Sequence, residues 1–98
     1  MLSFDEFKMA EGTTFRVSTA PSGICELRLA AATRLPRGGR PAQLPDPFVL
    51  RFTGPPDRPL PQGLHRFSHP ALGTRDIFIT VKAPSEAGDL RCYEAVVN

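Results

Sequence analysis

The sequence predicts a mainly β protein, a compact antiparallel β-barrel or sandwich of about six strands with one short N-terminal helix. Three observations carry this. Apolar residues recur with period two, as in Phe48-Val49-Leu50-Arg51-Phe52 and Ile77-Phe78-Ile79-Thr80-Val81, the alternation of half-buried strands. Eleven prolines and eight glycines fall between those runs, where they mark turns. The opening residues instead space their apolar groups as a helix does. With 98 residues, 41% of them hydrophobic and 22% charged, the chain is one globular domain, residues 1–98, near the lower size limit for a self-sufficient core.

Residues 3–11 read as the helix. Ser3 and Glu6 have capping-box spacing, Leu2 and Phe7 have staple spacing, and Gly12 offers a left-handed stop. Phe4, Phe7 and Ala10 share a face, and a helix this short holds only if that face docks. From Thr14 the period becomes two, with Phe15 and Val17 inward and Arg16 and Ser18 outward. A turn at Ala20-Pro21-Ser22-Gly23 leads into Ile24 to Thr33, which would turn Cys25, Leu27, Leu29 and Ala31 inward and complete a hairpin.

Residues 34–47 have no apolar period among their prolines and glycines and read as a long exposed loop, whose stretch from Arg34 to Arg40 carries Arg34, Arg37 and Arg40 with no matching acidic groups. Phe48, Leu50 and Phe52 then define the clearest strand, ended by Gly54-Pro55-Pro56. Leu64 to Ser68 is the next strand, with His65 and Phe67 on one face. Arg75 to Lys82 would direct Ile77, Ile79 and Val81 to the core, and Leu90 to Val97 is the last strand. Within it a buried Tyr93 needs a backbone partner for its hydroxyl, and Glu94 is expected to pair with Arg51 or Arg66 on a neighbouring strand.

Several function classes find no support. A net charge of +2 without aromatics interleaved among the basic residues gives no nucleic-acid footprint. No apolar run approaches the ~20 residues of a membrane span, and Asp5 and Glu6 stand where the core of an export signal would lie, so cytoplasmic synthesis is the expectation. Cys25 and Cys92 are then expected as free, buried thiols. Gly38-Gly39 lacks the Lys-Ser/Thr of a phosphate loop, so no cofactor is implied.

His65 and His69 have a spacing that suits a metal on a helix, but they fall in a strand and in the turn before Pro70, so no metal site is expected. Ser68, His69 and Asp76 are triad residue types, yet strand neighbours point to opposite faces. The chain therefore does not read as an enzyme. What remains are candidate contacts: the Arg34, Arg37 and Arg40 loop toward an acidic group, against the plainer reading of a solvated loop; His65, Arg66 and His69 near a barrel mouth; and Glu94 on a partner-facing edge. Exposed strand edges could also pair with a protein partner or a second copy of the chain.

The run Phe48 to Pro55, then Leu60-Pro61-Gln62-Gly63, His69-Pro70-Ala71-Leu72-Gly73, Ile77-Phe78 and Tyr93 to Asn98, together with Leu2-Ser3-Phe4, Gly12, Phe15 and Val17, closely resembles a family of short bacterial proteins known as domain of unknown function 6916. The resemblance covers nearly the whole chain. It implies a role around phage-tail-like assemblies, because members of that family stand beside proteins with a tail-collar domain, and it supplies no catalytic residues. The chain departs from the pattern at Lys82-Ala83-Pro84 and at Cys92. Two functional expectations follow: a non-enzymatic accessory protein with a protein partner, a tail-collar protein among the candidates; and, as the alternative, a small-molecule-binding protein or enzyme using a barrel-mouth pocket near His65, Arg66, His69 and Asp76.

Overall fold

One helix and six strands follow in order in the computed structural model: α1 (Phe4–Met9), β1 (Thr14–Thr19), β2 (Gly23–Arg34), β3 (Phe48–Gly54), β4 (Gly63–His69), β5 (Gly73–Lys82) and β6 (Arg91–Val97). The structure describes residues 3–19, 23–36, 38–39, 41–44, 46–82 and 90–97. The strands close into an antiparallel barrel in the order β1-β2-β3-β6-β5-β4, and β4 returns to β1. Closure removes the sheet edges that a small open sheet would expose.

The alternating residues fill the barrel. Phe15, Val17, Cys25, Leu27, Leu29, Leu50, Phe52, Phe67, Ile77, Ile79, Tyr93 and Ala95 are all buried. Phe52 sits between Phe15 and Phe67, with ring centroids 5.5 and 5.0 Å away, within the range of favourable aromatic pairs.

β2 is long because it serves two partners, β1 through its first half and β3 through its second. The register shifts between Leu29 and Ala31, where a β-bulge adds a residue. The expected inward Ala31 is therefore corrected to Ala32, which is buried while Ala31 is only partly so. A bulge reverses the parity of everything beyond it.

α1 plugs one end of the barrel. Phe7 is fully buried, with ring centroids 6.1 Å from both Phe15 and Phe48, and Phe4 meets Phe48 edge-on at 5.6 Å. The helix is shorter than the expected 3–11, and the Ser3 side chain makes no cap bond. Glu6, the other half of the expected capping box, instead reaches Arg75 of β5 at 3.3 Å. Gly12 does take the left-handed conformation, at φ 83°, and its N–H donates to the Leu29 carbonyl at 2.8 Å. Leu2 and residues 20–22 of the expected hairpin turn lie outside the described residues.

The connection between β3 and β4 closes the other end. Its Leu60 is buried, and the Leu60 N–H donates to the Tyr93 hydroxyl at 2.9 Å, the backbone partner expected for that tyrosine. Val81 does not join the core. β4 begins at Gly63 opposite Ile79, so β5 runs past it and Val81 stays 43% exposed.

Candidate interaction surface

The residues that point away from the barrel are where a partner can be met. On β4 and β5, Leu64 lies directly across from Phe78, and both face out, 65% and 54% exposed. The β5–β6 ladder carries the stripe further: from its pair Thr80 and Glu94, two residues along each strand lead to Phe78 and to Val96, itself 55% exposed. Three large apolar side chains thus stand on three neighbouring strands. Such a contiguous patch, unlike scattered single residues, calls for an explanation.

Charged pairs flank the stripe. On one side Arg66 donates to Asp76 at 3.3 Å. On the other, Glu94 accepts from Arg51 at 3.4 Å and lies 3.8 Å from Lys82. Arg66 and Asp76 are both exposed, whereas Glu94 is partly buried between two exposed cations; exposed pairs contribute little to stability, but an apolar centre inside a charged rim is how interaction patches are built.

β1 and β4 meet through only two pairs among the described residues, Arg16 with Ser68 and Val17 with Phe67. Beyond them an open cleft of about 770 Å³ holds Ser18, Leu60, Leu64, His65, Arg66 and Asp76. Three of the four residues expected near a barrel mouth therefore share one cleft. His69 does not. It is the last residue of β4, rather than part of the following turn, and stands at the α1 end.

Both histidines are tied down. His69 Nδ1 accepts from the Ala71 N–H at 3.0 Å, so Nε2 carries the proton and donates to Thr13 Oγ1 at 2.9 Å, and the Thr13 hydroxyl donates to the Ala10 carbonyl at 2.5 Å. This chain joins the end of β4 to the exit of α1. His65 Nε2 lies 2.7 Å from the Pro61 carbonyl, so it is the protonated nitrogen there as well. Among the described residues no three His, Cys, Asp or Glu side chains come together as metal ligands.

Arg34 corrects the expectation of a loop without acidic partners. Its guanidinium lies 3.3 Å from Asp46, 3.6 Å from Asp5 and 4.4 Å from the Phe4 ring centroid, which fastens the loop base to the helix. Arg37 and Arg40 lie outside the described residues. Cys25 and Cys92 are both free, but only Cys25 is buried. Burial pushes its thiol pKa up, against the opposing pull of Arg58.

Period two sets Leu64 and Arg66 on the face opposite His65 and Phe67, and the buried Phe67 makes that the outer face. Apolar residues at such outward positions are the signal in the sequence for the stripe. No signal pointed to Glu11, whose carboxylate accepts from the Ala32 N–H just past the bulge at 2.8 Å and from Lys8 at 3.1 Å. Those two bonds hold its pKa below the ordinary value, the backbone bond foremost.

A small closed antiparallel barrel, plugged at both ends, with its distinctive residues on the outer wall: that is the class of protein the fold defines. The chain belongs to the family described as Domain of unknown function (DUF6916), whose model matches residues 2–97. No curated protein and no solved structure gives a significant match. No described helix is long and apolar enough to cross a membrane.

Proposed function

We propose that this chain is a non-enzymatic accessory protein that docks a protein partner on the outer face of β4, β5 and β6. The observation that carries the reading is the stripe of Leu64, Phe78 and Val96, each more than half exposed and framed by the Arg66–Asp76 and Arg51–Glu94 pairs. Three such side chains present roughly 300 Å² of apolar surface, within the range where the largest patch on a monomer is often functional. The family resemblance directs the search for the partner to tail-collar proteins of phage-tail-like assemblies.

The test is co-purification from the native host, followed by titration calorimetry with a tail-collar protein from that host. Val96→Asp and Phe78→Asp should each weaken binding at least tenfold while leaving the thermal midpoint within a few degrees of the parent. Binding that both variants leave unchanged, or no binding by the parent chain, overturns the proposal.

A further inference from the structure

Two strands stop pairing while both run on. From Thr80 and Glu94 the β5–β6 register leads to Ile79 with Ala95, Phe78 with Val96 and Ile77 with Val97, yet the ladder ends at Thr80 and Glu94. All six of those residues are described and stand in strands. The apolar stripe therefore crosses this seam where no ladder bonds hold it, with Leu64 and Phe78 on one side and Val96 on the other.

The β4–β5 hairpin is fastened at its two ends instead. At its open end Thr80, Val81 and Lys82 pair with β6, and the Thr80 hydroxyl donates to the Glu94 carbonyl at 3.1 Å. Near its turn Phe67 and Ser68 pair with β1. Two side-chain bonds tie that same end to α1 and its exit: Arg75 donates to Glu6 at 3.3 Å, and His69 donates to Thr13 at 2.9 Å. Between the ends, the inward packing of Ile77 and Ile79 holds the hairpin to the core. The other strands are joined by longer ladders, β1 to β2 and β2 to β3 through six pairs each and β3 to β6 through seven.

We propose that the β4–β5 hairpin is a strap: it opens as one cooperative unit from an otherwise intact barrel, and its closure completes the docking face by setting Leu64 and Phe78 beside Val96. Proteins open locally in such units, and binding elements are drawn from the least stable of them. A partner that spans all three residues binds only the closed strap, so closing and docking favour each other. The proposal deepens the interaction reading above and rests on it for the coupling, while the opening itself stands on the pairing alone.

The test is native-state hydrogen exchange of the full chain at pH 7, read by NMR under conditions where exchange reports the opening equilibrium. A detached two-stranded hairpin is not stable in water. The bonded amides of β4 and β5 should therefore exchange together, at least about tenfold faster than those of β2 and β3 and with a shallower dependence on urea. Two variants separate strap opening from global unfolding. Glu6→Gln weakens a bond that opening breaks, and should speed the strap amides about two- to fivefold. Glu11→Gln weakens the α1–β2 junction, which opening leaves intact, and should speed the β2 and β3 amides while leaving the strap amides unchanged. One common rate for both regions, or strap amides that respond to Glu11→Gln, overturns the proposal. With the tail-collar protein at about 100 times its dissociation constant, strap exchange should slow about a hundredfold. A bound partner that leaves strap exchange unchanged overturns the coupling. If that protein does not bind and the strap amides still exchange as a unit, the docking face falls and the strap stands.

Discussion

Tyr93 shows at the scale of one residue how the fold is locked. Its ring is buried in the barrel wall by β6, and its hydroxyl accepts the only polar hydrogen that buried Leu60 offers through its backbone, at 2.9 Å. Tyr93→Phe keeps the ring and removes the acceptor, leaving a buried N–H unsatisfied. The expected cost is about 1–3 kcal/mol, read as a lower urea midpoint with an unchanged slope, and equal midpoints would refute the role. This contact was legible in the sequence because a buried tyrosine must satisfy its hydroxyl, and here there is one tyrosine on the inward parity of an apolar run. The partner residue was not legible, because Leu60 is brought to it by a connection whose path over the barrel end no local pattern encodes.

Among elements, α1 is stitched to β2 at the bulge. Beyond the Gly12 bond to Leu29, the Leu29 N–H donates to the Thr13 carbonyl at 3.0 Å, and Glu11 takes the Ala32 N–H. The strands and the docking face of the helix were readable from periodicity and the spacing of Phe4 and Phe7. The bulge was not: a single extra residue in Leu29-Ala30-Ala31-Ala32 leaves no mark when its neighbours are small and alike. Ser3 misled because capping-box spacing states what a side chain can do locally, and Glu6 has a better partner in Arg75. Glu11 makes this junction pH-sensitive. Its pKa is lowered in the folded state, so its stabilisation is fully present above the ordinary glutamate range near 4.3 and is lost as pH falls through the lowered value. Glu11→Gln keeps an acceptor for Ala32 but removes the charge. The variant should melt below the parent at pH 7, and the gap should narrow toward pH 3. Thermal melts that run parallel across that range would exclude the linkage.

Across the whole molecule, pairing is uneven. The ladder of β3 with β6 has seven residue pairs and that of β4 with β5 also seven, while the described seams of β1 with β4 and β5 with β6 have two and three. The β4–β5 hairpin, which carries most of the proposed docking surface, is thus held to the rest of the barrel by its two shortest seams. β6 sits at the join, bound along its whole length to β3 and at one end to β5. Removing residues 93–98 would delete Tyr93 and Ala95 from the core, five of the seven pairs with β3 and two of the three with β5. It would also bare the β3 edge beside Leu50 and Phe52, both fully buried in the intact chain. A domain of this size has only about 5–15 kcal/mol of net stability, less than the loss of two core residues, an opened barrel and an unpaired strand together remove. The truncated chain should therefore show no cooperative thermal transition and should lose the dispersed amide spectrum of a β fold. A truncated chain that still melts cooperatively at the parent temperature would mean that the barrel closes without β6.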